Sequence, residues 1–562
     1  MFFVIRILWY TNLMDKNEMK KYANNEYRRW LEMTREDPQL QHELEQLSDN
    51  EEERLDSFYT DLRFGTSGIR GIIGAGTNRM NEYVVRRTTQ GLADYLNEYY
   101  PAPSVVIAYD TRRKSRTFAL ETAKTLRGND IEVFLFPDIA PVSLLSFAIG
   151  RLHCTMGIMI TASHNPKIFN GYKVYNREGY QIVGDEPELI LEAIDRLDFF
   201  EGIKTKETGI QHVEESICHD FIEKIKSFSL LAGQRDILDT LSVVYTPLNG
   251  AGNRYVRQAL ADIGFSNLTM VPSQEQPDEN FTTCPAPNPE KITAYTEAFK
   301  ILDQVGGDVI IATDPDSDRV GLCLLYDGMK ILLTGNQLGI LIFDYLCQMR
   351  QPQPGQVVIK SIVSTPLIEK MAEKYGLTVI NTLTGFKYIG ELITRLSNEG
   401  REKEYFFGFE ESNGYLIDPF IRDKDGVSSA VIAVEMAAYH KARGKNLIER
   451  LRELYDEFGG CKDKTRNYFF EGPYGAMTME SLMEYFRERV NDQIGSTRII
   501  EKIDYQDETG LPKADVLEFI LENGSKFIIR PSGTEAKIKV YFFETDNSLE
   551  LENAVKDIIK TF

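Results

Sequence analysis

Cysteine is scarce in this 562-residue chain. The six present (Cys154, Cys218, Cys284, Cys323, Cys347, Cys461) are scattered, with no C-x-x-C pair. That spacing argues against a disulfide framework or a thiolate zinc site and favours a reducing compartment, the cytoplasm. Positive charge is also in deficit: 64 Lys and Arg against 85 Asp and Glu leave a net charge of -21. The resulting field repels polyanions, which excludes nucleic acid and anionic membrane as natural partners. A small phosphorylated substrate then requires a local cluster of Lys and Arg, or a metal. Long hydrophobic runs are missing too. The opening M-F-F-V-I-R-I-L-W-Y is broken by Arg6, with no basic stretch before it and no small-residue cleavage site after it. It reads as neither signal peptide nor membrane span, and Met14 and Met19 are alternative translation starts. A nucleotide-cradling G-x-x-x-x-G-K-[ST] loop is absent, which argues against a Mg²⁺-dependent kinase.

What remains is an ordinary globular composition, 42% hydrophobic and 27% charged. At roughly 100 to 200 residues per domain, the length implies three to five domains. Lys16 to Asp56 is strongly charged, with Tyr22, Tyr27, Trp30, Leu31 and Leu40 at helical spacing, and reads as a helical extension. Short apolar runs then alternate with helix-like segments: Val105 to Tyr109, Ile131 to Phe136, Met156 to Ile160, Leu241 to Tyr245, Val309 to Ala312, Val357 to Ile359 and Phe406 to Phe409. This alternation predicts βαβ units and largely parallel, covered sheets. Past Gly459, strands at Val516 to Leu521, Lys526 to Arg530 and Lys537 to Phe543 predict a separate α+β domain. The boundaries expected are 1–55 (helical extension), 56–211, 212–326, 327–457 and 458–562.

Three apolar runs end in chemically loaded loops: I-M-I-T-A-S-H-N-P, V-I-I-A-T-D-P-D-S-D-R and Y-F-F-G-F-E-E-S-N-G. They read as a weak internal repeat that offers strand carboxyl ends to a site. Ser163 is a candidate nucleophile, although Ser and Asn-Pro are also ordinary turn residues. Asp314, Asp316 and Asp318, at i, i+2 and i+4, fall on one side of an extended segment. The alternatives there are a solvated acidic loop, an EF-hand fragment and a metal site. The EF-hand fails, because Arg319 and Leu325 stand where Gly and Glu are needed, and an all-oxygen set favours Mg²⁺. Glu410, Glu411 and Ser412, with Arg422 and Lys424 following, suit vicinal sugar hydroxyls or a plain turn. Arg530-Pro531-Ser532-Gly533-Thr534, followed by Lys537 and Lys539, suits a phosphate dianion or a turn. Asp61 to Gly71 brackets Thr66, Ser67 and Arg70 with glycines as an anion-facing loop. G-I-I-G-A-G (71–76) is not a dinucleotide fingerprint: its glycines are in the wrong order and no strand is expected to lead into it.

Together, G-T-S-G-I-R-G, T-A-S-H-N-P, D-P-D-S-D-R with G-F-E-E-S-N-G, and R-P-S-G-T-E resemble the motifs of the α-D-phosphohexomutase superfamily, in family order from Asp61 to the C-terminus. The resemblance implies an α/β fold of three similar α/β/α domains with mixed sheets around a central cleft, and a C-terminal α+β domain that closes over it. It implies Ser163 as the phosphorylated serine and Asp314, Asp316 and Asp318 as Mg²⁺ ligands, with Ser163 contributing through its phosphate. Arg319 would lie against the phosphoserine, and Arg70, His164 and Lys173 would line the reacting end, Lys173 first and His164 second as proton carrier. Gly385, Lys387, Glu410, Ser412 and Lys424 would bind the sugar, and Arg530, Ser532, Gly533 and Thr534 the non-reacting phosphate.

The implied activity is Mg²⁺-dependent interconversion of glucose 1-phosphate and glucose 6-phosphate, with glucose 1,6-bisphosphate as intermediate and activator, by a cytoplasmic monomer or dimer. Lys167-Ile168-Phe169-Asn170-Gly171-Tyr172-Lys173 replaces the Gly-Gly that follows N-P in many relatives. It resembles the branch that holds bacterial α-phosphoglucomutases, phosphopentomutases and glucose-1,6-bisphosphate synthases. A pentose phosphate is therefore the main alternative substrate. Mannose is disfavoured by Asn413-Gly414-Tyr415, and a silent sugar-phosphate binder by the presence of Ser163 and all three aspartates.

Overall fold

The computed structural model describes residues 16–65, 68–460, 462–470, 475–532, 537–545 and 550–562. The apolar opening, Thr66 and Ser67, Cys461, and Gly533 with Thr534 lie outside the described residues. The chain divides into two compact units, one running up to His219 with Leu248–Ala251 and Gln276–Asn288, the other holding Asp220–Pro247, Gly252–Glu275 and Pro289–Phe562.

The first unit begins with helices Lys16–Met33, Pro38–Leu47 and Glu51–Phe58. Side chains of Asp37 and Asn50 accept from the N–H groups of Leu40 and Glu53, capping the second and third helices. Trp30 is fully buried, with the rings of Phe58, Tyr83, Phe199 and Phe200 5.3 to 5.8 Å from it edge to face, so the helices share one core with the following sheet. That sheet contains β1 (Gly68–Ile72), β2 (Ser104–Tyr109), β3 (Glu132–Leu135), β4 (Met156–Ile160), β5 (Phe169–Tyr175) and β6 (Ile210–His212), in the order β1-β5-β4-β2-β3-β6.

The second unit carries three sheets. The first comprises β7 (Val243–Thr246), β8 (Leu268–Met270), β9 (Val309–Thr313), β10 (Val320–Tyr326) and β11 (Met329–Leu332), ordered β11-β10-β9-β7-β8. The next comprises β12 (Val357–Ser361), β13 (Thr378–Thr382), β14 (Tyr405–Glu410) and β15 (Gly414–Leu416), ordered β13-β12-β14-β15. The last is an antiparallel sheet of β16 (Lys462–Phe469), β17 (Gln493–Ile494), β18 (Thr497–Asp504), β19 (Leu517–Leu521), β20 (Lys526–Pro531) and β21 (Lys537–Glu544). Leu482, Phe486 and Val555 of the helices Gly475–Arg489 and Glu550–Ile559 share a core with Phe519 and Phe527 of that sheet. The architecture is thus α/β, three α/β/α sheets and a C-terminal α+β part.

Strands β2, β4, β9, β12 and β14 are buried along their whole length, which explains their unbroken apolar runs. The expectation of largely parallel sheets needs correcting at a specific place. β4, β9 and β14 are each parallel to a neighbour (β2, β7 and β12), but each is followed by an antiparallel return, β5, β10 and β15. Residues 161–168, 314–319 and 411–413 are too few for a helical crossover, so the chain has to turn straight back. All three chemically loaded loops are therefore the turns of antiparallel pairs. A second correction concerns G-I-I-G-A-G: β1 does lead into it, as an edge strand paired antiparallel to β5.

Candidate active site

In the first unit, Ser163 sits in the turn between β4 and β5, 3% exposed, with a left-handed backbone at φ 51°. Its Oγ lies 3.1 Å from His164 Nδ1. Its N–H donates to Thr161 Oγ1 at 2.8 Å, and its carbonyl accepts from Arg112. Arg70, on β1, donates to Asn165 Oδ1 at 3.1 Å. Arg70 stands opposite Gly171 of β5, and Lys173 is two residues further along the same strand, so Arg70 and Lys173 share a face of the sheet. The first unit thus gathers Ser163, His164, Arg70 and Lys173 around one turn and the two strands beside it.

In the second unit, the carboxylate oxygens of Asp314, Asp316 and Asp318 lie within 4.8 Å of one another, and all three residues are buried. They do not converge by strand alternation, as the i, i+2, i+4 spacing suggested. The segment is a turn: Ser317, at φ 52°, donates its N–H to the Asp314 carbonyl, and Asp314 Oδ1 accepts from the N–H groups of Asp318 and Arg319. Burial, and then the charges of Asp316 and Asp318, push the Asp314 carboxyl well above its usual range. Three buried like charges call for a cation, and a donor set of oxygens with no thiolate or imidazole fits Mg²⁺.

Two cationic side chains border the loop. Arg319 pairs with Glu290, and its Nε lies 3.7 Å from Asp318. Lys424 Nζ lies 3.4 Å from Asp318 and 3.6 Å from Asp423. Burial alone would lower the Lys424 pKa, but Asp318, Asp423 and Glu410 outweigh it and raise it, so the amine is firmly charged.

The carboxylate loop is stitched to the aspartate loop by a reciprocal pair of bonds. Val320 N–H donates to the Asn413 carbonyl, and Asn413 Nδ2 donates to the Val320 carbonyl at 2.9 Å. Glu410, the last residue of β14, accepts from the N–H of Gly385 at 2.7 Å, and Ser412 is half-buried in the following turn. Lys387 lies two residues on, in the helix Phe386–Asn398, and burial lowers its amine to about 8. Arg530, at the end of β20, donates to Tyr541 Oη at 3.2 Å and is within electrostatic reach of Glu411 and Glu410. Burial, and then Glu410, raise the Glu411 carboxyl to about 7. Ser532 N–H donates to the Lys537 carbonyl at 2.8 Å.

Sequence reasoning missed Asp110, Arg112 and Glu290. Asp110 and Arg112 follow the fully buried β2, the same signal that singles out the other loops.

Fold and donor set together are those of the α-D-phosphohexomutases. In chain order, the sequence matches phosphoglucomutase/phosphomannomutase α/β/α domain I over residues 61–201, domain II over 219–326, domain III over 334–458 and the C-terminal domain over 487–561. The chain belongs to this family. It is 35% identical to the phosphoglucomutase of Staphylococcus saprophyticus over 534 residues, spanning 91% of this chain and 94% of that one. It is 34% identical to the phosphoglucomutase of Staphylococcus aureus over 531 residues, again 91% and 94% of the two chains. The fold is shared with the open form of Paramecium parafusin, a phosphoglucomutase, at a TM-score of 0.67 and 21% identity, covering 89% of this chain and 95% of that one. Among the described residues, no helix is long and apolar enough to cross a membrane.

Proposed function

We propose that the chain is a phosphoglucomutase, interconverting α-D-glucose 1-phosphate and glucose 6-phosphate through a phosphorylated Ser163 and glucose 1,6-bisphosphate. The observation that supports this most is the identity of about 35% with phosphoglucomutases over nine-tenths of the chain, with all four motifs present. In the forward half-reaction the bond between phosphorus and Ser163 Oγ breaks, and one forms to a sugar hydroxyl oxygen, whose proton leaves to a base. The bisphosphate turns end for end, and its other phosphoryl group returns to Ser163 Oγ. No redox step or further reactant is needed.

The candidate residues divide the work. His164 Nδ1, 3.1 Å from Ser163 Oγ, would pass a proton to that oxygen as the phosphoryl group leaves it and take the proton back as the group returns. Lys173 is the candidate base at the sugar hydroxyl, and Arg70 assists at the reacting end. Glu410, Ser412, Gly385, Lys387 and Lys424 orient the sugar. Arg530 and Ser532, with Gly533 and Thr534, hold the phosphate that does not react. Asp314, Asp316 and Asp318 would hold Mg²⁺, which supplies charge withdrawal from the transferring phosphoryl group, and Arg319 adds positive charge beside them.

The reading extends to a cytoplasmic location, supported by five buried free cysteines among the described residues, and to the domain boundaries given by the sequence. The deciding experiment compares kcat/KM for glucose 1-phosphate, mannose 1-phosphate, ribose 1-phosphate and deoxyribose 1-phosphate, with Mg²⁺ and catalytic glucose 1,6-bisphosphate. Glucose is expected to lead by about tenfold or more, as a site hydrogen-bonded to its sugar hydroxyls requires. A pentose preference of that size overturns the choice of sugar.

A further inference from the structure

We propose that Asp110 and Arg112 are positioning residues that set the direction of the Ser163 hydroxyl for phosphoryl transfer. The proposal rests on the reading of Ser163 as phosphoacceptor.

Both side chains are fully buried. Arg112 donates to the carbonyl oxygens of Ser163, Asn165 (2.6 Å), Pro166 (3.1 Å) and Phe169 (3.2 Å), so one guanidinium gathers three carbonyls of the turn after β4 and that of the first residue of β5. Phe281 covers it, its ring centroid 5.2 Å away. Asp110 holds Arg112 in turn, with Oδ2 3.2 Å from the guanidinium Nε and Oδ1 accepting from the Arg112 backbone N–H at 2.9 Å. The same Asp110 Oδ2 accepts from Thr161 Oγ1 at 2.7 Å, and Thr161 Oγ1 accepts the N–H of Ser163. One carboxylate therefore governs both peptide groups that flank the Ser163 α-carbon, the N–H side through Thr161 and the C=O side through Arg112. Fixing both holds the left-handed backbone of Ser163, and with it the direction of its Cα–Cβ bond.

Such a pair is a poor way to gain stability alone, because desolvating two buried ions offsets most of their attraction. What it provides is geometry. Arginine presents five donors in a rigid planar fork, whereas lysine has three on a single nitrogen and cannot span these four carbonyls in the same geometry. In-line transfer is sensitive to that geometry, a misplacement of about 1 Å being worth roughly a hundredfold in rate.

The test uses the full chain carrying Arg112→Lys, Thr161→Val and both together. Each is expected to lower kcat by about a hundredfold with KM for glucose 1-phosphate nearly unchanged. Transfer of phosphate from glucose 1,6-bisphosphate to Ser163, followed by intact mass, should slow by the same factor. The double variant should fall little below the weaker single, because both changes act on one peptide frame. A merely structural role moves KM and thermal stability along with kcat and leaves the two effects multiplicative. Wild-type kcat in Arg112→Lys, or multiplicative effects, overturns the proposal. If Arg112→Lys does not fold, Thr161→Val decides, since it keeps the ion pair, and wild-type kcat there is equally fatal. A wild-type protein that takes up no phosphate on Ser163 removes the functional reading itself; an active wild type with unaffected variants removes only this inference.

Discussion

Gly385 donates its N–H to Glu410 at 2.7 Å, so the start of one helix is tied to the last residue of β14. Gly385 has φ 125° and ψ 118°, a conformation that residues with a β-carbon avoid. A β-carbon there would meet nothing closer than 3.8 Å, so Gly385→Ala is opposed by the backbone and not by crowding. It should cost about 1 to 3 kcal/mol of stability, read as a lowered Tm. Relaxation that breaks the bond to Glu410 should raise KM for glucose phosphates by about tenfold, the scale of one hydrogen bond to a charged group.

Ser163→Ala is expected to abolish turnover and the mass of one phosphoryl group on the intact protein. Sugar-phosphate binding, measured by calorimetry, should persist. Retained mutase activity would refute the role given to this serine.

Asp316→Asn should weaken the response to Mg²⁺ and lower kcat. It carries a less usual expectation for stability. Removing one of three clustered buried charges relieves repulsion, so without metal the variant should melt at a higher temperature than the wild type. Its gain in Tm on adding Mg²⁺ should shrink, because stabilisation by a ligand scales with affinity. An unchanged Mg²⁺ titration would count against the aspartate loop.

His440 gives a pH dependence remote from the reaction. It is 3% exposed, at the end of the helix Gly426–Lys441, and burial depresses its pKa from 6.5 to about 4. The unfolded chain therefore binds this proton more readily than the folded one. The stability associated with neutral His440 is whole above pH 6.5 and is lost as pH falls towards 4. The loss amounts to roughly 3 kcal/mol. Denaturant unfolding at pH 7 and pH 4.5 should show it, and His440→Gln should flatten that part of the profile.

Much of this was readable because buried parallel strands must be apolar and must end abruptly, so a loaded loop after an apolar run marks itself. Ser163, Asp314 and Glu410 stood out on that ground. The antiparallel returns did not, because β5 and β10 differ from parallel strands only in the shortness of the turn before them. The aspartate turn was misread as extended, since nothing local announces the left-handed Ser317. Strand β16, K-D-K-T-R-N-Y-F, is largely exposed and carries no hydrophobic signature. The carbonyl partners of Arg112 lie 51 to 57 residues away, a distance across which sequence pattern says nothing.

The left-handed backbone at Ser163 also limits which residue can serve there. Threonine offers the same hydroxyl chemistry, but its branched β-carbon is disfavoured at φ 51°. Ser163→Thr would thus keep the reactive group and lose the posture that presents it. Under the role proposed for Ser163, the handedness of the main chain, as much as the chemistry of the side chain, decides which amino acid can serve there.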